Sequence, residues 1–318
     1  MKWRSLGSAY EGEYNAKVVD VSKQGPLGCC VLQGFFAPPG KVHSRAYTKH
    51  RDLLYDVHFT FDQRSRRITP EVSHARNALL AFGDSYTLGE GVNDEESFPY
   101  VLGTYRASTQ VYNLGLMGGS ANQTLYEVTK LPEKRLPDLP DQEVTAIYTF
   151  MVDHLERLIC RSLCLTAQGM WRLNQPFYSL KNGRPYFEGA FSDRKVLNSF
   201  YTWFHQSAIV QGTGMVLPPQ FTQEHFDFFA TMMVEIRDVL KTKYPKLKFY
   251  VVMYPGSSDP YGSDLTAACK KRGLNVLNYA SVDITGLAQK RERIAGEGHP
   301  SPIAHMILAR LLNRDLPQ

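Results

Sequence analysis

Two short stretches carry side chains that can perform nucleophilic chemistry together. The first is Gly83-Asp84-Ser85, which closes an apolar run at 78–82 and is followed by Gly89 and Gly91. The second is Gly298-His299-Pro300-Ser301-Pro302, far along the chain and just ahead of a helical pattern. A serine hydroxyl attacks an acyl carbon only if a base takes its proton, and a histidine on a separate loop can be that base. Glu297 is the nearest acid in sequence that can hold the imidazole in the useful tautomer, with Asp283 and Asp153 as alternates. A strand ending in Gly-Asp-Ser sets Ser85 on the carboxyl edge of a sheet, where open α/β folds bind their ligands. The amides of Ser85 and of Gly118, in the glycine-rich turn 115–120, are the expected donors to an oxyanion. Asp84 is expected to brace its turn, and His305 to serve structure within the last helix.

These blocks resemble those of the SGNH (GDSL-type) hydrolases, a superfamily of esterases, lipases, carbohydrate deacetylases and O-acetyltransferases. Ala81-Phe82-Gly83-Asp84-Ser85-Tyr86 is similar to the first block of that superfamily. Asn113-Leu114-Gly115-Leu116-Met117-Gly118-Gly119-Ser120 is similar to the second, with Gly118 at the oxyanion glycine, and Glu297-Gly298-His299-Pro300 to the last. The third block, Gly-x-Asn-Asp, corresponds to Phe150-Met151-Val152-Asp153, which lacks the asparagine. His154 is the candidate to donate in its place; alternatively, Asp153 and Arg157 simply pair on a helix surface. The resemblance implies a triad of Ser85, His299 and Glu297 working through an acyl-enzyme, with no metal or organic cofactor. It also implies a flavodoxin-like α/β fold, a doubly wound parallel sheet of about five strands.

The pattern around these blocks fits that fold. Apolar runs at 78–82, 110–114, 144–152, 247–254 and 274–277 read as strands, and helical patterns separate them. Residues 221–244 read as one long amphipathic helix, and 303–312 as the last one. Residues 1–72 differ in texture, with strands expected at 17–21, 29–36 and 54–61, and are read as a small β-rich N-terminal extension to a domain covering 73–318. The stretch 165–217 breaks the alternation and is rich in aromatics. It is expected to be an irregular insertion whose Trp171, Tyr178, Tyr186 or Trp203 lines the acceptor side of a pocket, the alternative being a local core.

Composition bounds the rest. The 318 residues are 43% hydrophobic and 21% charged, an ordinary globular balance. A net charge of +5, scattered along the chain, gives no case for a nucleic acid partner. No apolar run reaches the roughly 18 residues of a transmembrane helix, and residues 1–14 lack the apolar core of a secretory peptide. Compartment and oligomeric state stay open. The five cysteines show no metal-like spacing; Cys160 and Cys164 read as packed thiols, though one bridge is not excluded. Asn122-Gln123-Thr124 matches a glycosylation sequon. Lys290-Arg291-Glu292-Arg293 reads as a solvated basic face, or as a lure for anionic substrates if it faces the cleft. The expected activity is removal of acyl groups, acetyl first, from a small-molecule or carbohydrate ester. An O-acetyltransferase or a binding protein on a degenerate hydrolase fold are the alternatives.

Overall fold

The computed structural model describes residues 3–4, 10–13, 36–48, 50–139, 141–165, 170–255, 261–282, 293–294 and 298–317. Four N-terminal strands, β1 (Trp3–Arg4), β2 (Tyr10–Glu13), β3 (Gly40–Thr48) and β4 (Leu53–Phe61), form an antiparallel sheet in chain order. Five more strands make the central sheet: β5 (Asn77–Phe82), β6 (Thr109–Asn113), β7 (Glu143–Phe150), then β10 (Lys248–Met253) and β11 (Asn275–Asn278). Between them in sequence, β8 (Pro176–Lys181) and β9 (Arg184–Ala190) pair as a separate hairpin.

The central sheet runs β11-β10-β7-β5-β6, and every adjacent pair is parallel. Counting only its own strands, that order is 2-1-3-4-5, the flavodoxin-like winding. β5 is apolar at nearly every position because both of its faces are covered. Alternate side chains point to opposite faces. Ala78, Leu80 and Phe82 join one core with the helix Gln223–Lys243, whose Phe229, Met233, Ile236 and Leu240 recur at helical spacing. Leu79 and Ala81 join the other core, with Phe98, Leu102, Leu308 and Leu312 from the helices Phe98–Tyr105 and Pro302–Asp315.

The strands expected at 17–21 and 29–36 lie outside the described residues, apart from Phe36. β4 stands where a strand is expected, and β3 pairs with it although its residues carry little strand pattern. The stretch 165–217 is more regular than its aromatic texture implied. It holds the β8–β9 hairpin and the helices Lys195–Gln206 and Ala208–Thr213. Cys160 and Cys164 are not separate thiols: they form a disulfide beside Phe191. The Asn122 sequon is sealed inside, where the side-chain amide donates to the Leu158 carbonyl at 3.1 Å.

Arg67 joins the N-terminal sheet to the loop after the Ser85 turn. It is 1% exposed, and its guanidinium donates to the carbonyls of Leu88, at 2.9 Å, and Val92, at 2.7 Å. It also pairs with Asp94 at 2.8 Å. Asp94 in turn accepts the backbone N–H of Thr60 on β4 at 3.1 Å. Arg67→Met strands a buried carboxylate and several carbonyls. It is expected to lower unfolding stability by about 3–5 kcal/mol. A urea midpoint equal to that of the unaltered protein would show that water replaces these contacts at no cost.

Candidate functional site

β5 and β7 are neighbours in the sheet, but the chain leaves β5 toward one side and reaches β7 from the other. Their carboxyl ends therefore flank a crevice at the switch point of the winding, the usual ligand position in such sheets. Ser85 follows β5 there and opens the short helix Ser85–Leu88. Gly83 precedes it at φ +152°, and a β-carbon at that position would run into the hydroxyls of Thr87 and Thr149. Asp84 Oδ1 accepts the Tyr86 N–H at 3.0 Å, so the acid before the serine holds the turn that presents it.

His299 reaches the same point from the loop before the last helix. Its Nε2 lies 2.9 Å from Ser85 Oγ. The loop is braced on both sides. The Ile294 N–H donates to the His299 carbonyl at 2.8 Å. Tyr86 donates its hydroxyl to the Gly298 carbonyl at 3.2 Å and sets its ring edge-on to His299, centroids 5.5 Å apart. Arg293 is the described member of the basic cluster, and it contacts the Tyr86 hydroxyl and the Gly298 carbonyl. Its guanidinium thus supports the histidine loop. Glu297 and Asp283 lie outside the described residues, as do residues 290–292.

A different carboxylate stands at the pair. Glu90 Oε2 is 3.3 Å from His299 Nε2, and Glu90 is 8% exposed. Sequence reading passed over it because glutamate is ordinarily a surface residue. The available signal was its place between Gly89 and Gly91, directly after the Gly-Asp-Ser turn. A negative charge beside Nε2 favours the imidazolium that forms when the histidine takes a proton.

Gly118 sits at φ +64°, a conformation that favours glycine. Among the described residues, no hydrogen bond uses its N–H or that of Ser85. His154 does not stand with them as an expected donor. Its ring is fully buried, with Nδ1 2.9 Å from the Tyr148 hydroxyl and Nε2 3.2 Å from Asp84 Oδ2. Nδ1 is bonded to Tyr148, and Nε2 approaches Asp84 as an ion pair without hydrogen-bond geometry. The expected surface pairing of Arg157 with Asp153 is also minor, at 3.6 Å. Arg157 is buried and donates to Asp84 Oδ2 at 2.9 Å instead. Burial pushes the Asp84 carboxyl up, but His154 and Arg157 together hold it well below the usual carboxylate range.

The aromatic insertion meets the site through a residue that was not singled out. Gln175 Nε2 donates to the Gly118 carbonyl at 2.9 Å. Tyr178 is 4% exposed and packs edge-on against Phe187 in the main core. Tyr186 stacks under Lys181, and Trp203 is 67% exposed on its helix. The side chain of Trp171 lies outside the described residues. No described contact brings the other three to Ser85.

With this geometry in view, the chain can be set beside known proteins. No protein-family model matches the sequence, and no curated protein matches it. Solved structures do, and many are G-D-S-L lipolytic proteins or carbohydrate esterases. A lipolytic protein of the G-D-S-L family from Veillonella parvula is 12% identical, with a TM-score of 0.41, over 76% of this chain and 98% of its own. An acetyl xylan esterase from Butyrivibrio proteoclasticus is 12% identical, with a TM-score of 0.42, over 79% and 65%. A carbohydrate esterase family 2 enzyme from Corynascus thermopiles is 9% identical, with a TM-score of 0.43, over 78% and 68%. Among the described residues no group of three or more His, Cys, Asp or Glu forms a metal site, and no helix is long and apolar enough to cross a membrane.

His305 backs this region as a structural residue. Its Nδ1 accepts the Phe98 N–H at 3.2 Å, which requires a neutral ring. Burial, helped by the charges of Arg67 and His299, pushes its pKa down from 6.5 to about 3. The unfolded chain therefore binds this proton at a higher pH than the folded one. The stability it contributes is complete above about pH 6.5 and is lost as the pH falls toward 3. His305→Asn is expected to flatten the dependence of the urea midpoint on pH across that window. An unchanged slope would assign the acid sensitivity to other groups.

Proposed function

We propose that this protein is an SGNH-type serine esterase that removes acyl groups, acetyl first, from a carbohydrate or similarly polar ester. The observation that carries the reading is the 2.9 Å approach of His299 Nε2 to Ser85 Oγ at the switch-point crevice. Ser85 Oγ attacks the acyl carbon while Nε2 takes its proton. The tetrahedral oxyanion is received by the N–H groups of Ser85 and Gly118, each such donor contributing on the order of 3 kcal/mol. Collapse expels the alcohol, which leaves with the proton from His299, and an acyl-enzyme remains. Water then gives a proton to His299 as it attacks, and the acid departs with Ser85 restored. Glu297 is proposed as the carboxylate on the other ring nitrogen, with Glu90 as the charge on the serine side.

A fluorophosphonate probe is expected to label the unaltered protein at Ser85. Ser85→Ala is expected to lower hydrolysis of p-nitrophenyl acetate by at least about 10⁴-fold in a folded protein. No labelling and no Ser85-dependent turnover would leave a binding protein as the better reading. Adding a sugar acceptor and analysing products separates hydrolysis from acyl transfer.

The two carboxylates give separate signatures. Glu297→Gln is expected to lower kcat well over tenfold with little change in KM, because its effect falls on the imidazolium of the transition state. If Glu90→Gln does this and Glu297→Gln does not, Glu90 takes the role of the triad acid.

A further inference from the structure

We infer that Arg157 is a positioning residue that locks the oxyanion turn to the nucleophile turn, an inference that rests on the esterase reading above. One nitrogen of its guanidinium, Nη1, makes both links. It donates to Asp84 Oδ2 at 2.9 Å and to the Gly119 carbonyl at 2.8 Å. The other oxygen of Asp84 holds the Tyr86 N–H, one residue beyond the nucleophile. A continuous path of short polar contacts thus runs from the backbone beside Ser85, through Asp84 and Arg157, to the backbone beside Gly118.

The receiving turn is held before Gly118, where the Leu116 N–H donates to the Gly83 carbonyl at 3.1 Å, and after it. The peptide between Gly118 and Gly119 has its carbonyl on Gln175 Nε2 at 2.9 Å and its N–H on the Leu116 carbonyl at 2.9 Å. The next carbonyl, that of Gly119, is the one Arg157 holds. With the chain pinned before and after it, the Gly118 amide is confined to a narrow range of directions. A glycine pair left to itself would sample many.

This assigns a purpose to the segment 153–157, directly after Val152, which stands where the expected asparagine donor is missing. Its two conspicuous side chains, His154 and Arg157, both turn inward onto Asp84. Their described contacts are with Asp84, Tyr148, Asp153 and the Gly119 carbonyl. The segment supports the donors and does not add one. With two donors in place of three, catalysis leans more heavily on their alignment, because preorganised dipoles stabilise a charge without reorganising when it appears.

The test measures p-nitrophenyl acetate kinetics and the inhibition constant of an aryl trifluoromethyl ketone, whose adduct on Ser85 carries an oxyanion. Arg157→Lys keeps a positive charge beside Asp84 but, on a differently shaped and more flexible side chain, loses the fixed Nη1 position that donates to Asp84 and Gly119 at once. It is expected to lower kcat by about 10–100-fold, with KM within about threefold, and to weaken the ketone by a matching factor. A merely structural role would lower the amount of folded enzyme and leave those ratios alone. Gln175→Leu, which strands no buried charge, releases the same turn from the other side. It is expected to give a smaller loss of the same pattern, about 3–10-fold. If Arg157→Lys does not fold, this variant decides the matter. Unchanged kcat and ketone binding in the folded variants would overturn the inference alone. Absence of Ser85-dependent turnover in the unaltered protein would overturn the esterase reading and this inference with it.

Discussion

The site depends on one buried negative charge. Asp84 is 1% exposed, and a carboxylate taken out of water at that depth must be neutralised by partners or by a proton. Arg157 and His154 supply the partners, both from the short helix Asp153–Ile159 that follows β7. Asp84 follows β5, so the pairing ties the carboxyl ends of two adjacent strands across the crevice where the winding reverses. The Ser85 hydroxyl, the Tyr86 amide and the glycine turn after β6 are all set by reference to that charge. Electrostatic compensation, more than apolar packing, fixes this corner of the molecule.

Much of this was legible in the sequence, for identifiable reasons. The five parallel strands announce themselves because two-sided burial demands unbroken apolar runs, as in residues 78–82. Ser85, Gly118 and His299 stood out because glycine and proline punctuate the turns that carry them. Where reading failed, it failed on polar residues whose burial only tertiary structure creates. Glu90 looks like surface until the loop around Arg67 folds it inward. Arg157 and Asp153 sit at the spacing of a helical ion pair, and the better partner, Asp84, is remote in sequence. The insertion at 165–217 was misjudged for a related reason. Its strands and helices have few buried positions, so they show little of the periodicity that deep burial imposes; Tyr201 is the one buried residue of the helix Lys195–Gln206.

His299 shows a different economy. Its loop is held by Tyr86, the residue after Ser85, so displacement of the serine turn also disturbs His299. Tyr86 packs edge-on against Tyr254 as well, at 5.1 Å between centroids, which seats the same ring on the end of β10. Ser85 and His299 thus share one aromatic support on the sheet, and small shifts move them together.

The position of Arg67 bears on how this chain can be divided. It follows the antiparallel sheet in sequence, yet its guanidinium is the internal scaffold of the loop carrying Glu90. Leu88, from the helix Ser85–Leu88, lies in the same apolar cluster as Tyr55 and Phe59 of β4. A cut drawn near residue 72, where texture changes from β to alternating α/β, would separate that loop from the side chain that shapes it. β3 and β4 therefore share an apolar wall with the Ser85 helix, and recombination of this chain with a foreign N-terminal module would have to carry Arg67 along.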